Sequence, residues 1–558
     1  MKKILALLLS VVMALSLLAG CGGGAKEKDD NQQQPGNTDG KITLTIGIPK
    51  HSSVTNYDDN YYTKWLEEKT GYELKFQFFA TGATDYKTQL STMVAGKVQL
   101  PDLMIGFQLG SDLHNRYGMD GVFQDLSPYF NDQEKSAIWW EQYDKLDETY
   151  AGNIWRRMQS SDGSGAIYAF PEIQESVIDT MSFTPWINQA WLDTLQLEMP
   201  TDPDSLYNVL VAFRDKDPNG NGTADEIPLI GTAGNLSGDV ISWIINMFLY
   251  ADSSTYFNVD ESGKLYSPYR EDAYREALKF IRKLYKEGLL SPLTLTATPQ
   301  DIRQMVCPSS GGAQLAGIAV THLTVGFEEG HEGILNYEPV PMWGNVITAD
   351  NQNYYSTFIT RDCKNVDAAW DLLMTMCTEE SAIIQRYGIQ GENWEYAPEG
   401  SVSIMGGEAK IRVFEDVATT RGNENWRNVE ATFLFNAEGE SNQSVPEDET
   451  EVRNHKYNLF NQALANYSQQ KANHNPADKL ICPLLLWPDA YKEEVPLARD
   501  DCRSFISRAR TDFITGKTDI NDDSDWNDYL KELDDLGYDQ WLFYSQLVYE
   551  ETLAGEYN

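Results

Sequence analysis

The chain has 558 residues, of which 84 are acidic and 44 basic, giving a formal net charge of −40 at pH 7. A field of that sign repels nucleic acid and anionic membrane surfaces, so neither is expected as a partner, and it opposes polyanionic substrates unless a local basic cleft overrides it. Its ordinary role is a solvated surface that keeps a protein soluble.

Lys2 and Lys3 open the chain, an apolar run extends from Ile4 to Leu18, and Leu18-Ala19-Gly20-Cys21 closes it. The charged start, the short apolar core and the small residues at its end predict a secretory signal over 1–20, not a transmembrane helix. The closing tetrapeptide resembles the lipobox of bacterial lipoproteins. That resemblance implies cleavage before Cys21, a diacylglycerol thioether on its sulfur, and a place on the extracytoplasmic face of the bacterial cell membrane. Two acyl chains suffice for stable anchoring, at roughly 0.8 kcal/mol per buried CH₂. Residues 21–40 contain no aromatic and no β-branched apolar residue. They cannot offset the entropy of ordering, and they read as a flexible leash. From Lys41 onward the chain is long enough for two lobes with cores of their own, and no further apolar run is long enough to cross a bilayer.

Ile42–Ile48 alternates as a strand, and Trp65–Lys69 ends an amphipathic helix that Gly71 stops. A second strand covers Glu73–Phe79, a helix Tyr86–Ala95, and a short strand Pro101–Gly106. Strand, helix and strand at this rhythm predict βαβ units in a mainly parallel sheet. The pattern resumes after Ala166–Phe170, with helices near Asp204–Phe213, Asp272–Lys286 and Asp367–Met376, and Asp500–Glu551 is largely helical. The fold class is α/β, with two lobes and a helical C-terminal part. With Cys21 assigned to lipid, Cys307, Cys363, Cys377, Cys482 and Cys502 remain. An odd count without a Cys-x-x-Cys motif excludes a complete disulfide framework and zinc-like spacing. They read as small buried apolar residues, and Cys482 with Cys502 is the one pair left open to bridging.

Asp217-Pro-Asn219-Gly-Asn221-Gly222-Thr223-Ala-Asp225-Glu226 is the sharpest motif. Hard cations such as Ca²⁺ take six to eight oxygens, and alternate residues of a tight loop aim theirs inward. Asp217, Asn219 and Asn221 hold loop positions one, three and five, and Gly222 permits the turn. Thr223 offers its carbonyl, and Asp225 with Glu226 closes the shell around a structural ion. A full EF-hand would carry glutamate at position twelve, where Pro228 stands. A metal-free Asn-Gly turn is the plainer alternative.

Six segments in order then resemble one family, the extracellular solute-binding proteins of ABC importers, in the carbohydrate-binding group that includes maltose-binding protein. They are LPDLMI at 100–105, AIYAFP at 166–171, INQAWLDTL at 187–195, KLYKEGL at 283–289, CKNVDAAWDLL at 363–373 and GIQGENW at 388–394. The alginate-oligosaccharide-binding subgroup looks closest, and its EF-hand-like calcium loop has the spacing of 217–226. The resemblance implies a two-lobe periplasmic-binding-protein type II fold with a central cleft and an extended helical C-terminal part. One lobe would comprise 41–174 and 349–390, the other 175–348 and 391–558. It also implies a monomer that takes a carbohydrate, most simply an oligosaccharide, and delivers it to permease subunits.

Sugar recognition needs flat apolar faces together with hydroxyl-binding polar groups. Trp243 follows the calcium loop where the family carries aromatic sugar contacts, and Trp394, His322, Trp343 and Tyr355 lie in segments the family places near the cleft. Gln108 and Asp112 follow the strand ending at Gly106, the switch-point position where ligands bind beyond strand C-termini. For any single tryptophan, packing in a core is the competing reading. No His-Glu-x-x-His, Gly-x-Ser-x-Gly or Walker loop is present, and no two carboxylates stand out as a glycosidase pair. An exported glycosidase or lyase, and a tethered glycan-capture or signalling protein without transport, are the alternatives.

Overall fold

The computed structural model describes residues 41–558 apart from 147, 161, 175–183, 235–237, 310–311, 329–330, 342–343, 347–353, 402, 404–407, 415–421, 428–432, 435–450, 484, 486, 488–490, 492–494 and 555–558. Cys21 and the leash therefore lie outside the described residues.

Two sheets organise the chain. The first has strand order β14-β4-β11-β3-β1-β2, where β1 is Thr43–Pro49, β2 Glu73–Phe79, β3 Leu103–Met104, β4 Phe170–Gln174, β11 Tyr354–Ile359 and β14 Phe433–Leu434. β2, β1 and β3 run parallel, in register Thr43 to Glu73 and Ile46 to Leu103. The helix Tyr61–Thr70 links the first two strands. Asn60 caps its start, accepting the Tyr62 N–H, and Gly71 ends it at φ +74°, a left-handed turn that suits glycine. The sheet is mainly parallel as expected, with β1, β2, β3, β4 and β14 pointing one way and β11 alone reversed, antiparallel to both β3 and β4. Successive strand residues point to opposite faces, so Leu44, Ile46, Leu103 and Ile105 enter one core while Met104 joins Phe79, Phe107 and Phe358 in another.

The second sheet has the order β10-β5-β9-β6, with β5 Pro185–Asn188, β6 Ile227–Ile230, β9 Ala316–Val320 and β10 Tyr337–Pro339, while β7 Asn258–Val259 pairs with β8 Leu265–Tyr266 and β12 Trp394–Tyr396 with β13 Ile411–Val413. Its core takes Tyr274, Ala277, Leu278, Ile281 and Leu284 from the helix Asp272–Lys286, whose apolar residues recur at helical spacing. The helices Pro496–Thr515, Asp523–Asp535 and Tyr538–Ala554 supply Ile506, Phe513, Trp526, Leu533 and Trp541 to the same core. The helical C-terminal part thus belongs to the second lobe. The 390/391 boundary does not match the packing: Trp394, Ile411, Val413, Trp426 and Phe433 all join the first core. Leu459, Phe460 and Ala463 of the helix Glu451–His474 are back in the second.

The five downstream cysteines are buried free thiols, so Cys482 and Cys502 are not bridged. Burial pushes the thiols of Cys363 and Cys482 up to about 12 and that of Cys502 to about 11, which leaves them unreactive at neutral pH. Among the described residues no helix is long and apolar enough to cross a membrane.

Candidate functional site

Strand direction fixes where a ligand can sit. In the first sheet the chain departs after β4, returns into β11 and departs again after β14; β4 and β14 are parallel and β11 opposes them, so all three events fall on one edge. β3 opposes β11 and β1 parallels β3, so Lys50-His51 and the Gly106–Gly110 loop stand on that edge too. In the second sheet the chain arrives at Pro185, whose partner is Val320, the last residue of β9. β6 parallels β9, and β10 ends opposite Trp186, so Ile230, Val320 and Pro339 all end at the arrival edge. Each sheet therefore offers strand C-termini at the edge where the chain passes between lobes, the position at which α/β folds bind ligands.

On the first edge Gly106 and Gly110 adopt φ near +80° and bracket a short loop. Phe107 is buried between the Phe79 and Tyr86 rings, 4.9 and 5.1 Å away. The Gln108 N–H donates to the Tyr86 hydroxyl at 3.0 Å, so the backbone is held while the Gln108 side chain is exposed. His51 is half-buried at the end of β1, its N–H on the Tyr57 hydroxyl at 3.0 Å.

On the second edge His322, buried, stands two residues past the end of β9. Thr321 before it is fixed by the Trp186 Nε1–H, which donates to its carbonyl at 2.8 Å. Beside it Asp239 caps the helix Val240–Ile245: one carboxylate oxygen accepts the N–H groups of Ile241 and Ser242, both at 3.1 Å, and the other accepts the Ser242 hydroxyl at 2.6 Å. A Cβ on Gly238 would lie 2.4 Å from the Val320 carbonyl oxygen, so only glycine lets this helix start so close to the end of β9. Asp239 and His51 are not singled out by spacing, although Gly-Asp ahead of an apolar run is a helix-start signal.

Gln108 and His322 thus occupy the expected edges. Trp243 and Trp394 do not present open faces. All six residues of Val240–Ile245 are buried, so the Trp243 ring, 4 % exposed, enters the second core. Trp394 is 1 % exposed in the first core, and its Nε1–H donates to the Gly388 carbonyl at 2.9 Å. Trp343 and the side chains of Asp112 and Tyr355 lie outside the described residues.

The 217–226 loop is stitched by its own side chains. Asp217 accepts the N–H groups of Asn221 and Gly222 at 3.2 and 3.1 Å, Asn219 accepts the Asn221 N–H at 3.0 Å, and Asn221 accepts that of Thr223 at 2.7 Å. Asp217, Gly220 and Gly222 all have positive φ, which coils the loop tightly. The amide groups of Asn219 and Asn221 donate to Asp225 at 3.3 and 3.0 Å. Both oxygens of Glu226 are buried without a hydrogen bond. Burial, with the charges of Asp217 and Asp225, raises the Glu226 carboxyl above its ordinary value. An orphaned buried carboxylate beside two others is the environment a hard cation relieves. Among the described residues, however, no three His, Cys, Asp or Glu side chains converge closely enough to hold a metal as they stand.

Comparison with known proteins adds five findings. The family model for bacterial extracellular solute-binding proteins matches residues 35–383. The Bacillus subtilis lipoprotein LipO is 23 % identical over 527 residues, 91 % of this chain and 92 % of its own length. The fructooligosaccharide ABC transporter substrate-binding protein FusA of Streptococcus pneumoniae is 40 % identical over 131 residues, a match covering 23 % of this chain and only 24 % of FusA. The structure of FusA in complex with kestose superposes with a TM-score of 0.68 at 20 % identity, covering 92 % of this chain and 99 % of that one. Alginate-binding protein AlgQ2, solved without calcium ion, gives 0.61 at 20 % identity over 92 % of this chain and 99 % of its own. These likenesses establish a shared two-lobe fold.

Proposed function

The chain belongs to the bacterial extracellular solute-binding protein family, and on that premise we propose that it captures an oligosaccharide between the passing edges of its two sheets and presents it to the permease of an ABC importer. The observation that carries this reading is that in each sheet strand C-termini gather at the edge where the chain passes between lobes, with Gln108 on one such edge and His322 on the other. Contacts made to both lobes at once favour a closed arrangement over an open one, and a permease that recognises the closed form reads occupancy. FusA, which shares the fold, is a fructooligosaccharide-binding protein, in keeping with a carbohydrate ligand. The role is binding without turnover, by a monomer.

The test is a thermal-shift screen of the mature protein against mono- and oligosaccharides, with calorimetry on the hits and scattering with and without ligand. A hit should raise the melting temperature, shrink the radius of gyration and leave the sugar intact. Gln108→Ala and His322→Ala should each weaken binding severalfold with the fold retained. Cleavage of the bound sugar would replace this reading by the enzyme alternative, and binding that both variants leave untouched would move the site away from these edges.

The reading includes a lipid anchor on Cys21 and a structural Ca²⁺ in the 217–226 loop. Cys21→Ala should leave the protein unprocessed or released from the membrane, while a form starting at Lys41 should be soluble and bind ligand equally well. A mature protein whose N-terminus, by mass spectrometry, is another residue without lipid would end the anchor proposal.

A further inference from the structure

Resting on the carbohydrate-binding reading, we propose that Phe78, with Lys50 beside it, forms an outer sugar subsite on the first lobe, where the far end of a longer oligosaccharide stacks and chain length is read. Leu74, Phe76 and Phe78 alternate along β2 and so share one face. Leu74 is buried and Phe76 half-buried, but Phe78 is 40 % exposed, so the core thins toward the C-terminal end of the strand. β2 parallels β1, which parallels β3, and that end therefore lies on the passing edge. Only β1 separates β2 from β3, whose C-terminal loop carries Gln108, a spacing of roughly 10 Å. The ring thus stands beside the proposed ligand site, at its outer end.

A lone exposed apolar ring is ordinary on a protein surface, but this one is held in place. Its plane lies within 7° of that of Phe76, with centroids 6.3 Å apart, and the Tyr57 ring packs on it with centroids 5.2 Å apart. Tyr57 is itself buried, and its hydroxyl accepts the His51 N–H at 3.0 Å, so the backing is tied to the loop that follows β1. Phe79, next in the chain, points to the opposite face and packs on Phe107 at 4.9 Å, which fixes the strand end to the Gly106–Gly110 loop. A flat ring fixed in this way can meet the C–H face of a sugar while losing little rotamer freedom on binding.

Lys50 supplies the polar half of the subsite. Its backbone N–H donates to the Phe79 carbonyl at 3.0 Å, and its exposed ammonium lies over the Phe78 ring, 5.1 Å from the centroid. In a chain with 84 acidic residues, no carboxylate among the described residues pairs with it. A cation–π contact at an exposed site is weak, so a sugar ring can displace the ammonium, whose N–H groups then donate to hydroxyls. One flat face with one swinging donor suits the outermost unit of a glycan, held by its ring face and tolerant of the linkage beyond it.

The experiment is calorimetry of the full mature protein with maltose-, xylose-, mannose- and fructose-based oligosaccharides, each series run from dimer to hexamer. In a series that binds, affinity should step up by about tenfold once the chain is long enough to reach the ring, the order of effect found when a contact aromatic is truncated. Phe78→Leu keeps the apolar bulk without the flat face; it should remove the step and leave the shorter members unchanged, which also reports that the variant is folded. Phe78→Tyr should keep the step, and Lys50→Met should shrink it. A step that survives Phe78→Leu, an equal loss at every length, or affinity independent of length in the unmutated protein overturns the subsite and leaves the carbohydrate reading standing. No binding by any member of any series removes both.

Discussion

Calcium should raise the melting temperature of the mature protein, chelator should lower it, and Asp217→Ala should erase the difference. A ligand that binds only the folded state adds about 2.7 kcal/mol when its free concentration is a hundredfold above the dissociation constant. The loop explains why the effect should be large. Glu226 is buried with both oxygens unmet, and its neighbours Asp217 and Asp225 share its charge. The Asn219 and Asn221 amides now donate to Asp225, a weak substitute for a cation. Binding requires both amides to turn their oxygens inward, so the three carboxylates draw together only with the ion present. Glu226→Gln separates this from a merely coiled turn. In chelator it should be more stable than the unmutated protein by about 1 kcal/mol, since a buried charge without a partner is gone, and it should lose most of the response to calcium. Identical melting of chelated and calcium-loaded protein, with no metal found after purification, would make the loop an empty turn.

Local pattern carried much of the fold and little of the site. Glu73–Phe79 and Asp272–Lys286 are read from sequence with the bounds they have in the structure, because alternation and helical spacing are properties of consecutive residues. The antiparallel β11 is not legible in the same way. It runs against β3 because the chain comes back from the other lobe about 250 residues later, and no window of sequence contains that fact. The edge position of Gln108, though not its role, was legible through the rule that ligands gather beyond strand C-termini. The tryptophans erred in the other direction. Their position along the family's chain suggested a cleft, but a ring is placed by its own element: Trp243 sits on a six-residue helix that is buried throughout.

Trp394→Ala and Trp243→Ala should therefore behave as core variants, each costing about 3–5 kcal/mol of stability, the usual loss when a buried indole is truncated to methyl. Trp394 adds a polar loss, since the Gly388 carbonyl at 2.9 Å would be left without its donor in the first core. Denaturant titration separates the lobes, because the two residues lie in different cores. Trp394→Ala should lower the midpoint of the transition reporting the first lobe, and Trp243→Ala that of the second. Binding per folded molecule should change much less than for Gln108→Ala or His322→Ala, whose residues end on the passing edges. A Trp243→Ala protein that melts with the unmutated chain yet loses more than tenfold in sugar affinity would put that ring against the ligand, and the second lobe's share of the site would then be an aromatic platform.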